Sequence, residues 1–343
     1  MTAPAAVRSP RGARAPEDAA RAAERRAERR AVLRGLRATP RTVATRWFYD
    51  DAGAALFERI CELPEYYVTR AELAILRARA GEIAARLGPR AALVEYGSGA
   101  GVKVRLLLDA LDAPAAYVPV DVSAAQLRRV AAEVGAAYPG LAVRPVCADF
   151  TRPLHLALPA GGARPAAFFP GSTIGNFHPP EAARFLRRVA RTVGPGGALL
   201  LGVDRRKARA TLEAAYDDAA GVTAAFNRNA LAHLNRALGA DFDPDAFAHH
   251  ACWNAAAGRV EMHLVSRRAQ VVRLGRARLA LGAGERIWTE SSYKYGRDGL
   301  EALAAAGGFH VEALWTDSDA RFWVTLLRAR RGRAVTRAAR TGC

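Results

Sequence analysis

Cysteine is scarce in this sequence. Four cysteines occur among 343 residues, and no two of them are spaced as a CxxC pair. Structural zinc sites and disulfide frameworks need cysteines at short, regular spacings, so neither is predicted. The expectation is a set of buried or incidental thiols in a protein that binds no metal.

Long apolar runs are also missing. Stretches such as GGALLLGV at 196–203 are far shorter than the roughly 20 residues that a membrane-spanning helix needs. Residues 1–20, MTAPAAVRSPRGARAPEDAA, lack the apolar segment of an export signal. The composition, 51% hydrophobic and 24% charged, is typical of a globular protein. We therefore expect a cytoplasmic protein without a membrane partner.

Lysine is the third rarity, with 3 lysines against 48 arginines. The net charge of +18 is typical of nucleic-acid-binding proteins, but residues 1–46 supply +8 of it and residues 328–343 supply +6. The body between them carries only +4. This distribution favours the bias of a GC-rich genome over a nucleic-acid site. The glutamates interspersed in residues 21–37 favour a solvated helix there.

Strand-like apolar runs alternate with helical segments in the middle of the chain. Between Leu93 and Asp204 the runs include ALVEYG, AYVPVDV, LAVRPVCADF and GGALLLGVD. Strands separated by helices at this spacing predict βαβ units and a parallel sheet. Residues 207–250 then have helical spacing, and RVEMHLVSRRAQVVRL and ERIWTESSYKYG alternate as antiparallel strands do. The predicted fold is α/β, a doubly wound sheet with an inserted cap.

These changes of pattern divide the chain. We predict a basic leader, flexible or helical, at 1–40 and a basic tail at 331–343. Residues 41–70 and 207–290 are predicted to form the inserted α+β domain, which binds the substrate. Residues 71–206 and 291–330 are predicted to form the doubly wound domain, which binds the cofactor.

Three glycines follow a carboxylate at the end of the first strand, in LVEYGSGAGVK at 93–103. Glycine permits a tight turn and the close approach of a ligand to the backbone, as at nucleotide sites. Gly97, Gly99 and Gly101 do not follow the G-x-G-x-x-G spacing of pyrophosphate binders. A negative Glu95 instead suits a ligand with cationic ends, such as the ammonium and sulfonium of S-adenosylmethionine (SAM).

Two aspartates near later strand ends complete this pattern. Asp121 ends the next strand, where an acidic residue accepts hydrogen bonds from ribose hydroxyls. ADF at 148–150 would place Asp149 beside the adenine amino group and Phe150 against the ring. The ordered set predicts a SAM-dependent methyltransferase. The alternative is a structural glycine turn with two helix-capping aspartates.

Five stretches of the chain closely resemble the L-histidine Nα-methyltransferases of ergothioneine biosynthesis. They are YDDAGAALFERICELPEYYVTRAEL, LVEYGSGAGVKVRLLLDAL, FFPGSTIGNF, AAYDDAAGVTAAFNRN and TESSYKY, and the resemblance spans roughly residues 40–328. It implies a Rossmann-like class I SAM-dependent methyltransferase with an inserted α+β substrate-binding domain. It also implies that the α-amino group of free L-histidine is trimethylated to hercynine in three successive transfers from SAM.

The resemblance implies which residues contact SAM. Lys103 would reach the methionine carboxylate, while the backbone at Gly97 would hold the ammonium end. The whole implied set is Gly97, Lys103, Asp121, Asp149 and Phe150.

It also implies the residues on the substrate side. Asn176 and Tyr216 would hold the carboxylate of histidine, and Glu290 and Ser292 would satisfy the two imidazole nitrogens. Tyr49 is the candidate to orient the amine or relay its proton. The substrate-binding set is Tyr66, Gly171, Asn176, Tyr216, Met262, Glu290 and Ser292.

Other functions stay open at this point. The same fold could methylate another α-amino acid, such as tryptophan or tyrosine, although Glu290 and Met262 argue against it. The Arg-rich ends could belong to an RNA-binding methyltransferase, which would need a basic stripe beside the cofactor site. Without the resemblance, Met262 and Tyr216 would be assigned to packing. The family suggests a monomer.

Overall fold

Helices and strands alternate along the chain, of which the structure, a computed structural model, describes residues 16–159 and 162–331. The α-helices are α1 Pro16–Arg37, α2 Asp51–Glu62, α3 Tyr67–Leu87, α4 Val102–Leu108, α5 Ala124–Ala137, α6 Pro179–Val193, α7 Arg209–Ala214, α8 Val222–Leu238 and α9 Arg297–Ala306. Single 3-10 turns occupy Thr45–Phe48, Thr173–Asn176 and Pro244–Ala246. The strands are β1 Arg41–Thr42, β2 Ala91–Tyr96, β3 Ala116–Asp121, β4 Ala142–Val143, β5 Val146–Cys147, β6 Arg164–Phe169, β7 Ala198–Asp204, β8 Phe247–Asn254, β9 Arg259–Ser266, β10 Gln270–Leu274, β11 Ala277–Leu281, β12 Arg286–Tyr293, β13 Phe309–Thr316 and β14 Phe322–Ala329.

An eight-stranded sheet carries the predicted glycine loop. Its order is β13-β14-β7-β6-β2-β3-β4, and β5 also pairs with β3. Strands β2 to β7 are parallel, whereas β14 is antiparallel to β7 and β13 to β14. The predicted doubly wound α/β fold is confirmed. The chain leaves β2 toward β3 on one side and returns to β6 on the other, and ligands of such sheets bind at this switch point.

The strands of this sheet are buried on both faces, which explains their continuous apolar runs. Alternate side chains fall into two packed clusters: Leu93 of β2 belongs to one, and Val94 and Tyr96 belong to the other. The first cluster also holds buried residues of α3, α4 and α5, and the second holds those of α6 and α9. Helices therefore cover both faces of the sheet, and a ligand can approach it at the carboxyl ends of its strands.

A second, four-stranded sheet has the order β1-β12-β9-β8. Helix α8 packs against β8 and β9, and α2 packs on α8. Strand β12 continues to Tyr293, past the predicted boundary at 290. It leads directly to α9, which covers one face of the eight-stranded sheet. The division of the chain into two binding domains stays a prediction.

The helix predicted at 21–37 is confirmed as part of α1. Its Val32 and Leu36 are buried, and Arg25 and Arg29 donate hydrogen bonds to carbonyls at the end of α8. Cations near the C-terminus of a helix stabilise that helix, so Arg25 and Arg29 stabilise α8. Helix α1 is therefore docked on α8. Residues 1–15 and 332–343 of the predicted leader and tail lie outside the described residues. No helix in the described ranges has the length and apolarity that crossing a membrane requires.

Gly202 on β7 gives the first prediction. A Cβ there would lie 2.0 Å from Glu72 Oε1 and 3.1 Å from Phe322 Cζ. Gly202→Ala should lower the free energy of unfolding by about 1–3 kcal/mol through overpacking. Gly81→Ala, whose Cβ meets nothing within 4 Å on helix α3, should raise it by about 0.5–1 kcal/mol. Urea unfolding of both variants tests this, and a Gly202→Ala protein as stable as the wild type would contradict the close packing of α3 on β7.

Candidate active site

A cavity lies where the turn after β6 faces helices α2 and α8 and strands β9 and β12. The residues that line it are Tyr49, Phe57, Ile60, Tyr66, Gly171, Ser172, Thr173, Asn176, Ala215, Tyr216, Thr223, Phe226, Met262, Glu290 and Ser292. The structure therefore brings together Tyr49 and every residue predicted on the substrate side, although their individual roles stay a prediction.

Aromatic rings form one wall of the cavity. Tyr49 follows the first 3-10 turn, and its ring lies 5.8 Å from Phe57 and 5.5 Å from Phe226, centroid to centroid. The next residue, Asp50, is the N-cap of α2, and its Oδ1 accepts a 2.9 Å hydrogen bond from the N–H of Gly53. The same oxygen accepts a 2.8 Å hydrogen bond from the side-chain amide of Asn229 on α8. This cap fixes where Tyr49 enters the wall.

The turn after β6 forms a second wall. Gly171 and Ser172 have φ values of 76° and 57°, and the latter is a sparsely populated conformation for serine. A Cβ on Gly175 would lie 2.7 Å from the carbonyl oxygen of Tyr293 on β12, so only glycine allows the turn to come this close. The close approach places Asn176 in the same cavity as the end of β12.

A β-bulge in β12 determines which side chains of the third wall face the cavity. In the β9–β12 ladder Trp288 pairs with His263, and after a register shift Glu290 pairs with Met262. Directly paired residues share one face of a sheet, so the extra residue of the bulge turns Glu290 to the side of Met262 and away from that of Trp288. Ser292, two residues on, faces the cavity with Glu290.

Several polar groups of the cavity have no partner in the described part of the chain. Glu290 is 9% exposed, and its carboxyl group forms no hydrogen bond with a described residue. Burial raises the pKa of Glu290 to about 7, with Lys294 opposing the shift. The same lack of a partner holds for the side-chain polar groups of Tyr49, Tyr66 and Asn176. Buried polar groups are normally paired, so these are available to a bound molecule.

Tyr216 and Ser292 are paired instead. Their oxygens lie 2.7 Å apart, and both accept hydrogen bonds from Lys294 Nζ, at 2.8 and 2.9 Å. Lys294 lies within TESSYKY and Thr223 within AAYDDAAGVTAAFNRN, but neither was predicted as a site residue. The motifs marked these segments without showing which side chains they bury.

The predicted cofactor residues lie at the carboxyl edge of the first sheet. Gly97 follows β2 with φ 76°, and its N–H donates to the carbonyl of Val120 on β3. A Cβ on Gly97 would lie 3.8 Å from the ring of Phe150, which follows β5. The edge, the glycine and the aromatic ring therefore meet at the switch point of the sheet.

The two aspartates at this edge also bond to their own turns. Asp121 Oδ1 accepts from the N–H of Ser123, and Asp149 Oδ1 from the N–H of Thr151. These bonds lie within turns and do not cap a helix, because the N-cap of α5 is Ser123 and no described α-helix begins between Asp149 and Pro179. The other oxygen of Asp149 pairs with Arg152 at 3.4 Å. A role of either aspartate toward SAM stays a prediction.

Glu95 does not play the expected part. Its side chain lies inside the sheet, 1% exposed, and accepts a hydrogen bond from the Tyr117 hydroxyl. Burial raises the pKa of Glu95 to about 8, so the group is mostly neutral at pH 7. The expectation that it offers a negative charge to a cationic ligand is wrong, because the strand extends to Tyr96 and keeps Glu95 in the core.

Glu72 connects the two parts of the site and was not predicted. It is fully buried on α3, accepts hydrogen bonds of 2.8 and 3.1 Å from the Gly171 N–H, and pairs with Lys103 at 2.6 Å. Lys103, predicted to contact SAM, thus reaches the turn that lines the cavity. One buried carboxylate holds both the cofactor-side lysine and the substrate-side backbone.

Comparisons with known proteins identify the family of this chain. Residues 28–329 match the family model described as "Histidine-specific methyltransferase, SAM-dependent". The chain belongs to this family of histidine-specific, SAM-dependent methyltransferases. The match begins at residue 28, inside α1.

Two curated relatives are similar to this chain over most of its length. The histidine N-alpha-methyltransferase of Mycolicibacterium smegmatis is 47% identical over 88% of this chain and 94% of its own. That of Mycobacterium tuberculosis is 46% identical over the same shares. Ergothioneine biosynthesis protein 1 of Neurospora crassa is 31% identical over 81% of this chain, which spans 32% of that longer protein.

Another cluster of polar side chains lies on the outer face of β8 and β9. Cys252, Glu261 and His263 place potential metal-ligand atoms within 4.8 Å of one another. Glu261 already accepts hydrogen bonds from Arg259 and Asn254, at 2.8 and 2.9 Å. Because His263 pairs with Trp288 across the sheet, on the far side from Glu290, this cluster is not part of the cavity.

The raised pKa of Glu290 predicts a pH-dependent stability. In the folded protein this carboxyl group keeps its proton up to a pH of about 7, whereas in the unfolded chain it ionises at a lower pH. The free energy of unfolding therefore falls as the pH rises from the unfolded pKa through the folded pKa of about 7. Glu290→Gln should therefore be more stable than the wild type by a few kcal/mol at pH 8 and by much less at pH 5. Glu62→Gln, at an exposed position on α2, is the control. Urea unfolding at both pH values would contradict the assignment if the two variants behaved alike.

Proposed function

We propose that this protein is an L-histidine Nα-methyltransferase, which converts free histidine to hercynine by three successive methyl transfers from SAM. The observation that carries the proposal is the buried, unpaired carboxyl group of Glu290 in a cavity beside the cofactor edge. Burying such a group costs free energy unless a ligand pairs with it. The two mycobacterial relatives support the same substrate.

An imidazole ring is a fitting partner for this wall. Its two nitrogens need one donor and one acceptor, or two acceptors when the ring is protonated. Glu290, with a pKa of about 7, can share a proton with one nitrogen, and the Ser292 hydroxyl can meet the other. Leucine or phenylalanine in this place would leave Glu290 unpaired, and such a site can reject them by as much as about 10⁴-fold.

The amino acid's other end would lie toward the SAM edge. We propose that Asn176 and Tyr216 hold the carboxylate and that Tyr66, Gly171 and Met262 complete the pocket. SAM would be held by Gly97, Lys103, Asp121, Asp149 and Phe150, and when bound it supplies the electrophilic methyl group on sulfur. The protein's contribution is then positioning, because bringing a neutral amine within roughly 3–3.5 Å of that carbon supplies much of the rate advantage.

Tyr49 is proposed to orient the amine. Burial, together with the nearby Glu290, raises the pKa of the Tyr49 phenol well above its ordinary value, so it stays protonated at neutral pH. A neutral phenol accepts a hydrogen bond from the ammonium and can relay its proton, but it is not a phenolate base. After the third transfer the nitrogen has no lone pair, and the reaction stops.

The remaining expectations concern surroundings. We propose that the protein acts as a monomer in the cytoplasm on a free amino acid, without a nucleic-acid or membrane partner. The small charge of the body, +4 between residues 47 and 327, supports this over an RNA substrate.

Mass spectrometry of the amino acid after incubation with the protein and SAM tests the reaction. We expect histidine to gain one, two and then three methyl groups, with the trimethylated product accumulating. Tryptophan and tyrosine in parallel reactions should remain unmodified. Methylation of either in place of histidine, or salt-sensitive retention of RNA by residues 16–331, which keep α1 and β14 whole, would overturn the proposal.

Replacement of Glu290 tests the substrate pocket. Glu290→Gln should raise the KM for histidine by roughly 10- to 100-fold, since a hydrogen bond to a charged group is lost, while the KM for SAM changes little. Glu261→Gln, on the opposite face of the sheet, is the matched control. A similar rise in both KM values would show that Glu290 supports the fold and does not recognise the ring.

A further inference from the structure

All three lysines of this arginine-rich chain bind buried carboxylates next to the cavity. Lys103 pairs with Glu72 at 2.6 Å, and Lys207 and Lys294 both pair with Asp204. The two carboxylates are fully buried. Where 48 other cations are arginine, lysine at these places indicates a need for the compact ammonium group.

Lys294 has no free donor. Its ammonium group is 0% exposed and donates to Asp204 Oδ2 at 2.7 Å, to the Tyr216 hydroxyl at 2.8 Å and to Ser292 Oγ at 2.9 Å. An ammonium has three N–H groups, so each has one acceptor. Although burial works against the charge, Asp204 and Tyr216 hold the pKa of Lys294 above its ordinary value.

These bonds restrict the two hydroxyl groups. Tyr216 and Ser292 each accept a hydrogen bond from Lys294, and their oxygens are 2.7 Å apart. One hydroxyl must therefore donate its proton to the other. A single hydroxyl proton is left to point into the cavity, and the donating hydroxyl keeps a lone pair.

We propose that Lys294 is a positioning residue that fixes the hydrogen-bonding character of this wall as one donor and one acceptor. The inference rests on the proposed function for the identity of the substrate. A carboxylate takes the remaining proton from Tyr216, and an N–H of the imidazole donates to the lone pair of Ser292. Ser292 is then an acceptor toward the ring, and the other ring nitrogen faces Glu290.

Asp204 holds Lys294 in place. The Tyr67 hydroxyl and Lys207 also donate to this carboxylate, and the Asp204 N–H donates to Ser172 Oγ at 2.9 Å in the turn that lines the cavity. Burial opposes ionisation, but Lys294 and Lys207 keep the pKa of Asp204 below its ordinary value. An arginine could not replace Lys294, because a planar guanidinium cannot direct three bonds from one nitrogen.

The test compares Lys294→Met with Lys207→Met. Both remove an ammonium from Asp204, but only the first touches Tyr216 and Ser292. Lys294→Met should raise the KM for histidine by roughly 10- to 100-fold with a much smaller change in the KM for SAM, and Lys207→Met should change the KM for histidine less than about 3-fold. Equal effects of the two variants, or an equal rise of both KM values in Lys294→Met, would overturn the proposal.

Two further variants keep the test independent of folding. Lys294→Met combined with Lys207→Met and Asp204→Asn removes all three charges of this cluster and should fold, since no unpaired buried charge remains. It should retain the raised KM for histidine. Lys294→Arg keeps the charge and should nevertheless lose histidine affinity. A wild-type KM in either variant would contradict the role of the ammonium geometry.

A substrate-free measurement separates this proposal from the proposed function. In double-mutant cycles by urea unfolding, Lys294→Met should be coupled to Tyr216→Phe and to Ser292→Ala, whereas Lys207→Met should be coupled to neither. Failure of the wild type to methylate histidine, with this coupling present, would overturn only the substrate. Absence of the coupling would overturn the positioning role whatever the substrate is.

Discussion

The ion pair between Asp204 and Lys294 joins the eight-stranded sheet to the four-stranded sheet. Asp204 is the last residue of β7 in the eight-stranded sheet, and Lys294 follows β12 of the four-stranded sheet. Both side chains are fully buried, and the backbone N–H of Tyr295 donates to the Asp204 carbonyl beside them. A buried pair adds little net stability compared with apolar packing, but breaking it is costly. Its effect is to set one relative position of the walls between which the cavity lies.

Much of the fold can be predicted from the sequence pattern, because a strand buried on both faces leaves a visible trace in the sequence, a continuous apolar run. The apolar runs around Leu93 and Ala198 predict parallel strands, and a carboxyl edge with Gly97 and Asp121 predicts a ligand site there. The bulge between Trp288 and Glu290 leaves no such trace, because period-2 alternation alone would put both side chains on one face. Only the pairing of β12 with β9 turns Glu290 inward. The motif resemblance named the residue, and tertiary structure supplies the reason it can act.

Glu95 and Glu290 both have raised pKa values, but their surroundings differ. They show why position in the sequence alone is a weak guide to electrostatics. Glu95 sits beside the glycine loop, but it is enclosed by the sheet and paired with Tyr117. Glu290 comes from a strand remote in sequence, and it is buried without a partner on the wall of a cavity. Burial raises both pKa values, to about 8 and about 7. The two groups differ in their partners and not in the direction of the shift: Glu95 has a hydrogen-bond partner inside the sheet, whereas Glu290 has none among the described residues and is available to a ligand.

A site that transfers three methyl groups to one nitrogen faces a changing acceptor, which loses a hydrogen-bond donor at each step. Fixed recognition of the nitrogen itself would favour one methylation state over the others. In this cavity the rigid contacts are built elsewhere: the bulge fixes Glu290, and Lys294 fixes Tyr216 and Ser292. Tyr49, whose hydroxyl has no bond to a described residue, is held only by ring contacts and its neighbouring cap. A substrate anchored by its invariant ends leaves its amine free to rotate a lone pair toward sulfur each time, and the chemistry ends when no lone pair remains.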